Sequence, residues 1–483
     1  MSALYLNGLI TLADEGKTFE IDTVTGQAKF GDKILKDYVT VGGSTSRADH
    51  RILNTGTDHT ILQAAFAQAV AENKDVKILG GVNIQLVNGS VTHPANVNLI
   101  GMGKKSKITI STGQKYTVTN SNLPANITIE DVYFDSLGQT SEIGGDRAIE
   151  VYNVTNVDFK HIYGDFNIFG FYILTTGVSS KTGDIRIIDS ELYGRGKQDI
   201  VGGGKLLPSY TQPYNITVQN CKVYQDVTGI KYYKSLSNGN VGNALTNATF
   251  WEEVTIPKTA SYNSTVSYTL NALVGDKYQG AISLVGVDNF RIINCDTKGV
   301  TIAGFEATPN SNILFSGNIV KPCIGGGQTE FGVIATTGFG YDAATYVGDD
   351  IKIINNTITD GLINVFCGVP TSRFKEVKIM GNTVKCNVPF FDDNIPYGIR
   401  IERADGAIVI GNSISGTVTN LLPNAVNIRG CINSTSHSNK LEYCTNGDVQ
   451  TTVSATNKMG TNAITDFRSI TMYNNVVTPY LEN

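Results

Sequence analysis

The sequence predicts an all-β chain, wound as a right-handed, single-stranded parallel β-helix with an N-terminal capping helix. Three observations carry that expectation: a unit of alternating apolar residues that recurs along most of the chain, an Asn, Asp or Gly corner within each unit, and a further short apolar run after it. Similar stretches start at 96 (NVNLIGMG), 126 (NITIEDVYF), 156 (NVDFKHIYG), 184 (DIRIIDSELYG), 215 (NITVQNCKVY), 289 (NFRIINCDTKG), 312 (NILFSGNIV), 350 (DIKIINNTITD), 376 (EVKIMGNTVK) and 407 (AIVIGNSIS). A repeat in the twenties to thirties marks a solenoid, and period-two alternation inside each unit makes its walls strands.

Taken in order, residues 1–50 read as short strands and turns, with VTG at 24–26 and KFGDK at 29–33. In 51–95 a helix follows, capped by Asp58 or Thr60 and closed by Asn73, with Ile61, Leu62, Ala65, Phe66, Ala69 and Val70 on one face. It is placed across the lower end of the column, because an open solenoid end must be covered. Residues 96–430 are the coils. In each, a strand ends in a tight corner such as Ile354-Asn355-Asn356-Thr357-Ile358, since Asn and Gly accept the left-handed backbone a corner needs. Stacked asparagines can also bond their neighbours above and below, so the Asn pair reads as a corner and not as a site. Third strands are expected at RAIEVY (147–152), FGFYILT (169–175), KQDIVGG (197–203), GIKYYKS (229–235), GAISLVG (280–286) and onward to AVNIRG (425–430), all running the same way up the column. The long gap between 215 and 289 is one coil carrying an inserted hairpin at about 235–280, and 431–483 form a C-terminal cap or trimerisation segment.

Composition narrows the partners. Charged residues make up 17% and the net charge is −5, so the footprint of a nucleic-acid binder is missing. No stretch approaches the ~18 apolar residues of a membrane helix, and MSALYLNGLITLADEGK carries no expected secretion signal. The 7 cysteines have no CxxC spacing; Cys295, Cys386 and Cys431 sit in strand-like text as buried reduced thiols. No metal or cofactor is expected.

Gly56-Thr57-Asp58-His59-Thr60, the Ala-rich helix from Gln63 to Val70, a glycine-ended strand from Val76 to Gly81 and Val97 to Gly103 come in an order that resembles the pectin-lyase-like β-helix proteins, in particular bacteriophage tailspikes. His59 departs from the second Asp of that group's opening. The resemblance covers roughly residues 50–430 as architecture. It implies a homotrimeric protein of the virion that acts outside the cell and recognises, and usually cleaves, a bacterial surface polysaccharide, capsule or O-antigen. Phage tail or baseplate proteins are its other implied partners. Residues 1–50 would then be a neck or attachment piece, with a large virion-binding head expected to be absent from the chain.

Outward side chains on one ladder of strands form a vertical stripe, along which a polysaccharide can lie. On the third-strand ladder the outward set is expected to include Glu150, Lys231, Tyr233, Arg400, Glu402 and Asp199. Glycosidases need two carboxylates, and Glu150 and Asp199, two coils apart, would stand about 9.6 Å apart in backbone position, near the inverting range. Glu306 is the next carboxylate on that face. Arg195, Lys197 and Lys231 could hold an acidic sugar. "KQDIVGGG" faintly resembles the Asp-bearing strand of polygalacturonase-type hydrolases, whose Gly-His-Gly motif is absent here. Trp251 in the insertion, with Tyr262 and Tyr268, could stack against sugars. The expected activity is endo-glycosidic hydrolysis. The alternatives are a polysaccharide lyase, with Lys231, Arg195 or Tyr233 abstracting a proton beside a uronate carboxylate, and a non-catalytic glycan-binding receptor protein.

Overall fold

The computed structural model describes five short strands between residues 2 and 34, and residues 38–464 except 122, 140–145, 168, 177–180, 195–197, 205–212, 226–231, 255–259, 262–266, 268–269, 272, 276–281, 286, 299, 305–311, 322–331, 338–348, 360, 368–372, 387–396, 418–420, 452–457 and 460–462. The N-terminal strands, from Ser2–Leu6 to Lys33–Ile34, pair in sequence order as an antiparallel meander. From Asp75 onward each coil gives one strand to each of three parallel sheets. Asp75–Ile78, Val82–Leu86 and Val91–His93 begin the first, second and third sheets. The first two sheets run to Lys458–Met459 and Ala463–Ile464, so strands of both continue past residue 430, within the segment expected to be a C-terminal cap or trimerisation segment.

Alternation explains the walls. In Asp349–Ile354, Ile351 and Ile353 are fully buried while Lys352 and Ile354 are partly exposed, and the neighbouring strands repeat that phase in register. Burying each such side chain contributes about 1.5–3 kcal/mol, and stacking the coils joins them into one continuous core. Among the described residues, no helix is long and apolar enough to cross a membrane.

The corner between first and second strands uses two residues for two tasks. Asp131, His161, Asp189, Asn220, Asn294, Asn355 and Ser438, with glycines at 317, 381 and 411, take positive φ and turn the chain. The next residue points inward: Ser190, Cys221 and Cys295, then Asn318, Asn356, Asn382, Asn412 and Asn439, all buried. Asn318 Nδ2 donates to Asn356 Oδ1 at 2.9 Å, Asn356 to Asn382 at 2.9 Å, Asn382 to Asn412 at 3.0 Å and Asn412 to Asn439 at 3.0 Å. The asparagine stack expected from the sequence is therefore present, and it belongs to the second residue of each pair. Cys221, Cys295, Cys386, Cys431 and Cys444 are buried reduced thiols, as expected for Cys295, Cys386 and Cys431.

One α-helix, Asp58–Glu72, packs on the first coil and buries Leu62, Ala65, Phe66 and Ala69. Its cap differs from the expectation. Thr57 is the N-cap, Thr60 Oγ1 donates back to the Thr57 carbonyl, and Asp58 is buried, accepting from the Gln85 amide at 2.9 Å. Asn73 closes the helix in the left-handed conformation, as expected, whereas Val70 faces solvent.

The third sheet contains every predicted rung but one. After Gln198–Gly204 its next rung is Ile282–Val285. Tyr232–Ser235, expected on that ladder, instead pairs antiparallel with Trp251–Val254 and Leu273–Gly275 in a separate four-stranded sheet. The insertion thus begins earlier than 235.

Candidate functional site

On the third-sheet face Glu150 lies in Arg147–Tyr152 and is buried at 5% exposure. Lys115 Nζ contacts one carboxylate oxygen at 2.5 Å and Arg147 Nη1 the other at 2.5 Å, while the Arg147 guanidinium sits 3.7 Å from the Tyr172 ring centroid. Both oxygens are engaged, so Glu150 anchors an ion cluster. The register pairs Glu150 with Tyr172 and Tyr172 with Val201, which leaves Asp199 two residues earlier on its strand. Two strand spacings and two residues of rise separate the backbone positions of Glu150 and Asp199 by about 12 Å, longer than the spacing expected from the coil count alone. The Asp199 side chain lies outside the described residues, as do Glu306, Arg195, Lys197 and Lys231.

Tyr233 and Trp251 are described, and neither stands on the predicted stripe. Both are buried in a small cluster within the insertion, packed with Leu245 and Phe250. The indole N–H of Trp251 donates to the Asn243 carbonyl at 3.0 Å. These rings hold the insertion together, which corrects the expectation of an outward Tyr233 and a stacking wall at Trp251.

A groove of about 330 Å³ opens instead on the second sheet, lined by Lys104, Tyr133, Tyr163, Gly164, Asp165, Glu191 and Tyr193. Its walls come from consecutive rungs Tyr133–Asp135, Tyr163–Phe166 and Glu191–Gly194, with Lys222–Gln225 the next rung beyond them. Phe134, Phe166, Leu192 and Val223 point into the core, so the alternate residues face out. Two outward columns result. One runs Lys107, Tyr133, Tyr163, Glu191, Lys222, Asp296; the other runs Thr109, Asp135, Asp165, Tyr193, Tyr224. Gly164 forms the floor between them.

The polar groups are specifically held. Tyr133 donates its hydroxyl to Asp165 Oδ2 at 2.5 Å, and Tyr224 donates to Asp296. Lys107 pairs with Asp135 at 2.5 Å. Glu191 lies 3.1 Å from Lys222 Nζ and 3.5 Å from Lys104 Nζ, and the Lys222 hydrogen bond foremost holds its carboxyl below the usual range. Burial, and then the bond to Asp296, push the Tyr224 phenol well up. Lys104 lies 4.8 Å over the Tyr163 ring, and Tyr193 and Tyr224 stack at 5.9 Å. Asp165 and Glu191 are one strand and two residues apart, about 8 Å in backbone position. That is within the inverting range for two carboxylates.

The sequence carried a signal for this groove in the tyrosines of DVYF, HIYG, ELYG and KVYQ, one per unit. Tyr133 and Tyr163 follow their left-handed corner residues, Asp131 and His161, by two positions, and Tyr193 and Tyr224 follow Asp189 and Asn220 by four. That count assigns each to its column. At the corner itself half-buried Glu130 and Asp131 and exposed His161 bring ligand atoms within 4.8 Å of one another, and no metal role is assigned to them.

No family model matches the chain, and no curated protein does. Among solved structures it is similar in fold to the surface adhesin PfbA of Streptococcus pneumoniae, with 13% identity over 84% of this chain and 96% of that one and a TM-score of 0.47. It is similar to the A-module of the mannuronan C-5 epimerase AlgE4 of Azotobacter vinelandii, with 14% identity over 88% and 96% and a TM-score of 0.44. A double mutant of the tailspike of E. coli bacteriophage HK620 gives 13% identity over 86% and 63% and a TM-score of 0.40. The chain is a right-handed parallel β-helix, the hand that twisted strands favour for parallel crossovers.

Proposed function

We propose that this chain is a tailspike-like protein that binds a bacterial surface polysaccharide, capsule or O-antigen, and cleaves it by endo-glycosidic hydrolysis. The observation that carries the reading is the second-sheet groove, in which aromatic rings that can pack on sugar faces flank two carboxylates whose backbone positions stand about 8 Å apart. In this reading Glu191, kept ionised by its lysines, takes a proton from the attacking water. Asp165, with Tyr133 on one oxygen, delivers a proton from the other to the leaving glycosidic oxygen. A homotrimer on a phage tail, working at the host surface, is the assembly the sequence resemblance implies for such an activity.

The test is mass spectrometry of oligosaccharides released from a panel of capsules and O-antigens, with the anomeric form of fresh products read by NMR. Products carrying an added water, released with inverted configuration, are expected; an unsaturated end would make the protein a lyase, and intact bound polymer a non-catalytic receptor. Asp165→Asn and Glu191→Gln should each lower the rate by about 100- to 10,000-fold. Asp199→Asn and Glu306→Gln test the sequence-derived set beside Arg195, Lys197 and Lys231. Loss of activity in those variants, with Asp165→Asn and Glu191→Gln unaffected, would move the chemistry to the third-sheet face.

A further inference from the structure

We propose that the upper third-sheet face, around Arg400, Arg403 and Arg429, is a binding site for an acidic sugar residue. Strand Tyr397–Glu402 lies between Leu362–Cys367 and Leu422–Arg429. Ile399 and Ile401 are fully buried in the core, so Arg400 and Glu402 face out. Asn364 and Asn427 stand beside Arg400 in register, and Arg429 stands beside Glu402.

Among the described residues the charges do not balance. Glu402, its side chain 8% exposed, takes Arg400 Nη2 at 2.6 Å and Arg403 Nη2 at 3.1 Å. Arg429 reaches it only at 3.9 Å, beyond hydrogen-bond distance, and its side chain is 53% exposed. Three guanidiniums therefore surround this one described carboxylate. A planar fork left over at the surface suits a carboxylate substituent.

A second observation is independent of charge. Asn364 is 4% exposed, yet its Oδ1 has no hydrogen-bond partner, and the buried Nε–H of Arg400 on the adjacent strand has none either. A buried acceptor and a buried donor left open side by side are unusual, because such groups are nearly always satisfied. Once the partly exposed Arg400 side chain turns outward, a sugar hydroxyl answers both, accepting from Arg400 Nε–H and donating to Asn364 Oδ1, while the carboxylate of the same residue meets Arg429. Fully hydrogen-bonded neutral chemistry alone would leave the surplus guanidinium unused.

The site is far from the second-sheet groove and stands whether or not that groove cleaves. Its test is calorimetric binding of trigalacturonate, maltotriose and inorganic phosphate to the full chain at low salt. Trigalacturonate is expected to saturate one site and maltotriose to bind far more weakly. Arg429→Ala should weaken the acidic trisaccharide by about tenfold or more, consistent with loss of a charge-assisted bond, and Asn364→Ala should weaken it without changing phosphate binding. Tyr163→Ala should leave it unchanged. The proposal fails if maltotriose binds as well as the acid, if Arg429→Ala is without effect, if no probe binds, or if Tyr163→Ala and not Arg429→Ala abolishes binding. Phosphate binding with no response of either trisaccharide to Asn364→Ala would also overturn it. The half-exposed Arg429→Gln variant supplies a second readout should the alanine variant fold poorly.

Discussion

Asn355 and Asn356 are neighbours of the same type with opposite structural duties, and exchanging them separately measures the difference. Asn356 is 1% exposed. Its Nδ2 donates to the Phe315 carbonyl at 3.0 Å and to Asn382 Oδ1 at 2.9 Å, and its Oδ1 accepts from the Asn318 amide and from Asn318 Nδ2, both at 2.9 Å. Asn356→Ala removes these four bonds and leaves the Asn318 N–H without its side-chain acceptor. At about 1 kcal/mol per bond the loss is about 4 kcal/mol. Asn355 instead carries positive φ at 55°, a conformation that glycines supply at 317, 381 and 411 of the same corner. Asn355→Gly should therefore change stability by less than about 1 kcal/mol. Thermal and urea unfolding of the two variants would compare them, with circular dichroism confirming the β-helix in each. Equal losses, or a larger loss in Asn355→Gly, would refute the division of labour between turning residue and stacking residue.

Three further outcomes follow from the geometry. Because Lys222 holds the Glu191 carboxyl low, the acid-side loss of cleavage is expected below the ordinary carboxylate range; Lys222→Met should move that loss to higher pH in a pH–rate profile. His93 is buried on the first coil, its Nε2 donating to the Val97 carbonyl at 2.7 Å, and burial lowers its pKa from 6.5 to about 4. The unfolded chain takes up this proton first, so the stability from neutral His93 is whole above about pH 6.5 and is lost towards pH 4, a change of about 3 kcal/mol. Unfolding midpoints compared at pH 7 and pH 4.5 should show a shallower acid loss in His93→Gln. Tyr163→Ala should weaken binding of the cleaved polysaccharide by about tenfold, read on the inactive Glu191→Gln background.

The architecture was legible because its rules are local and repeat. A left-handed corner restricts the residue to Asn, Asp, Gly and a few others, and strand alternation after it fixes which side chains point in. The placement of GIKYYKS failed for the opposite reason. Its alternation fits a rung of the third sheet as well as a strand of the insertion, and only the distant partners Trp251–Val254 and Leu273–Gly275 decide between them. Glu150 and Asp199 show the same limit in register: they lie two rungs apart, and the two-residue offset between them is set by pairing through Phe169–Thr175. The tyrosines of the second sheet were readable in principle, since their distance from the corner residue gives their column.

The two outward faces differ in how they treat charge, and that difference bears on function. On the second sheet the carboxylates remain partly open beside tyrosines, with lysines at the ends of the groove, so a chain of sugars can reach Asp165 and Glu191 without breaking a buried ion pair. On the third sheet Glu150 and Glu402 are sunk beneath cations, two around the first and three around the second. Removing one partner of a buried pair strands the other, so these glutamates resist duty as proton carriers; the cations above them, being in excess, remain able to meet an anion. In the reading proposed here, hydrolysis on one face and retention of acidic sugars on another leaves the ion pairs of Glu150 and Glu402 intact.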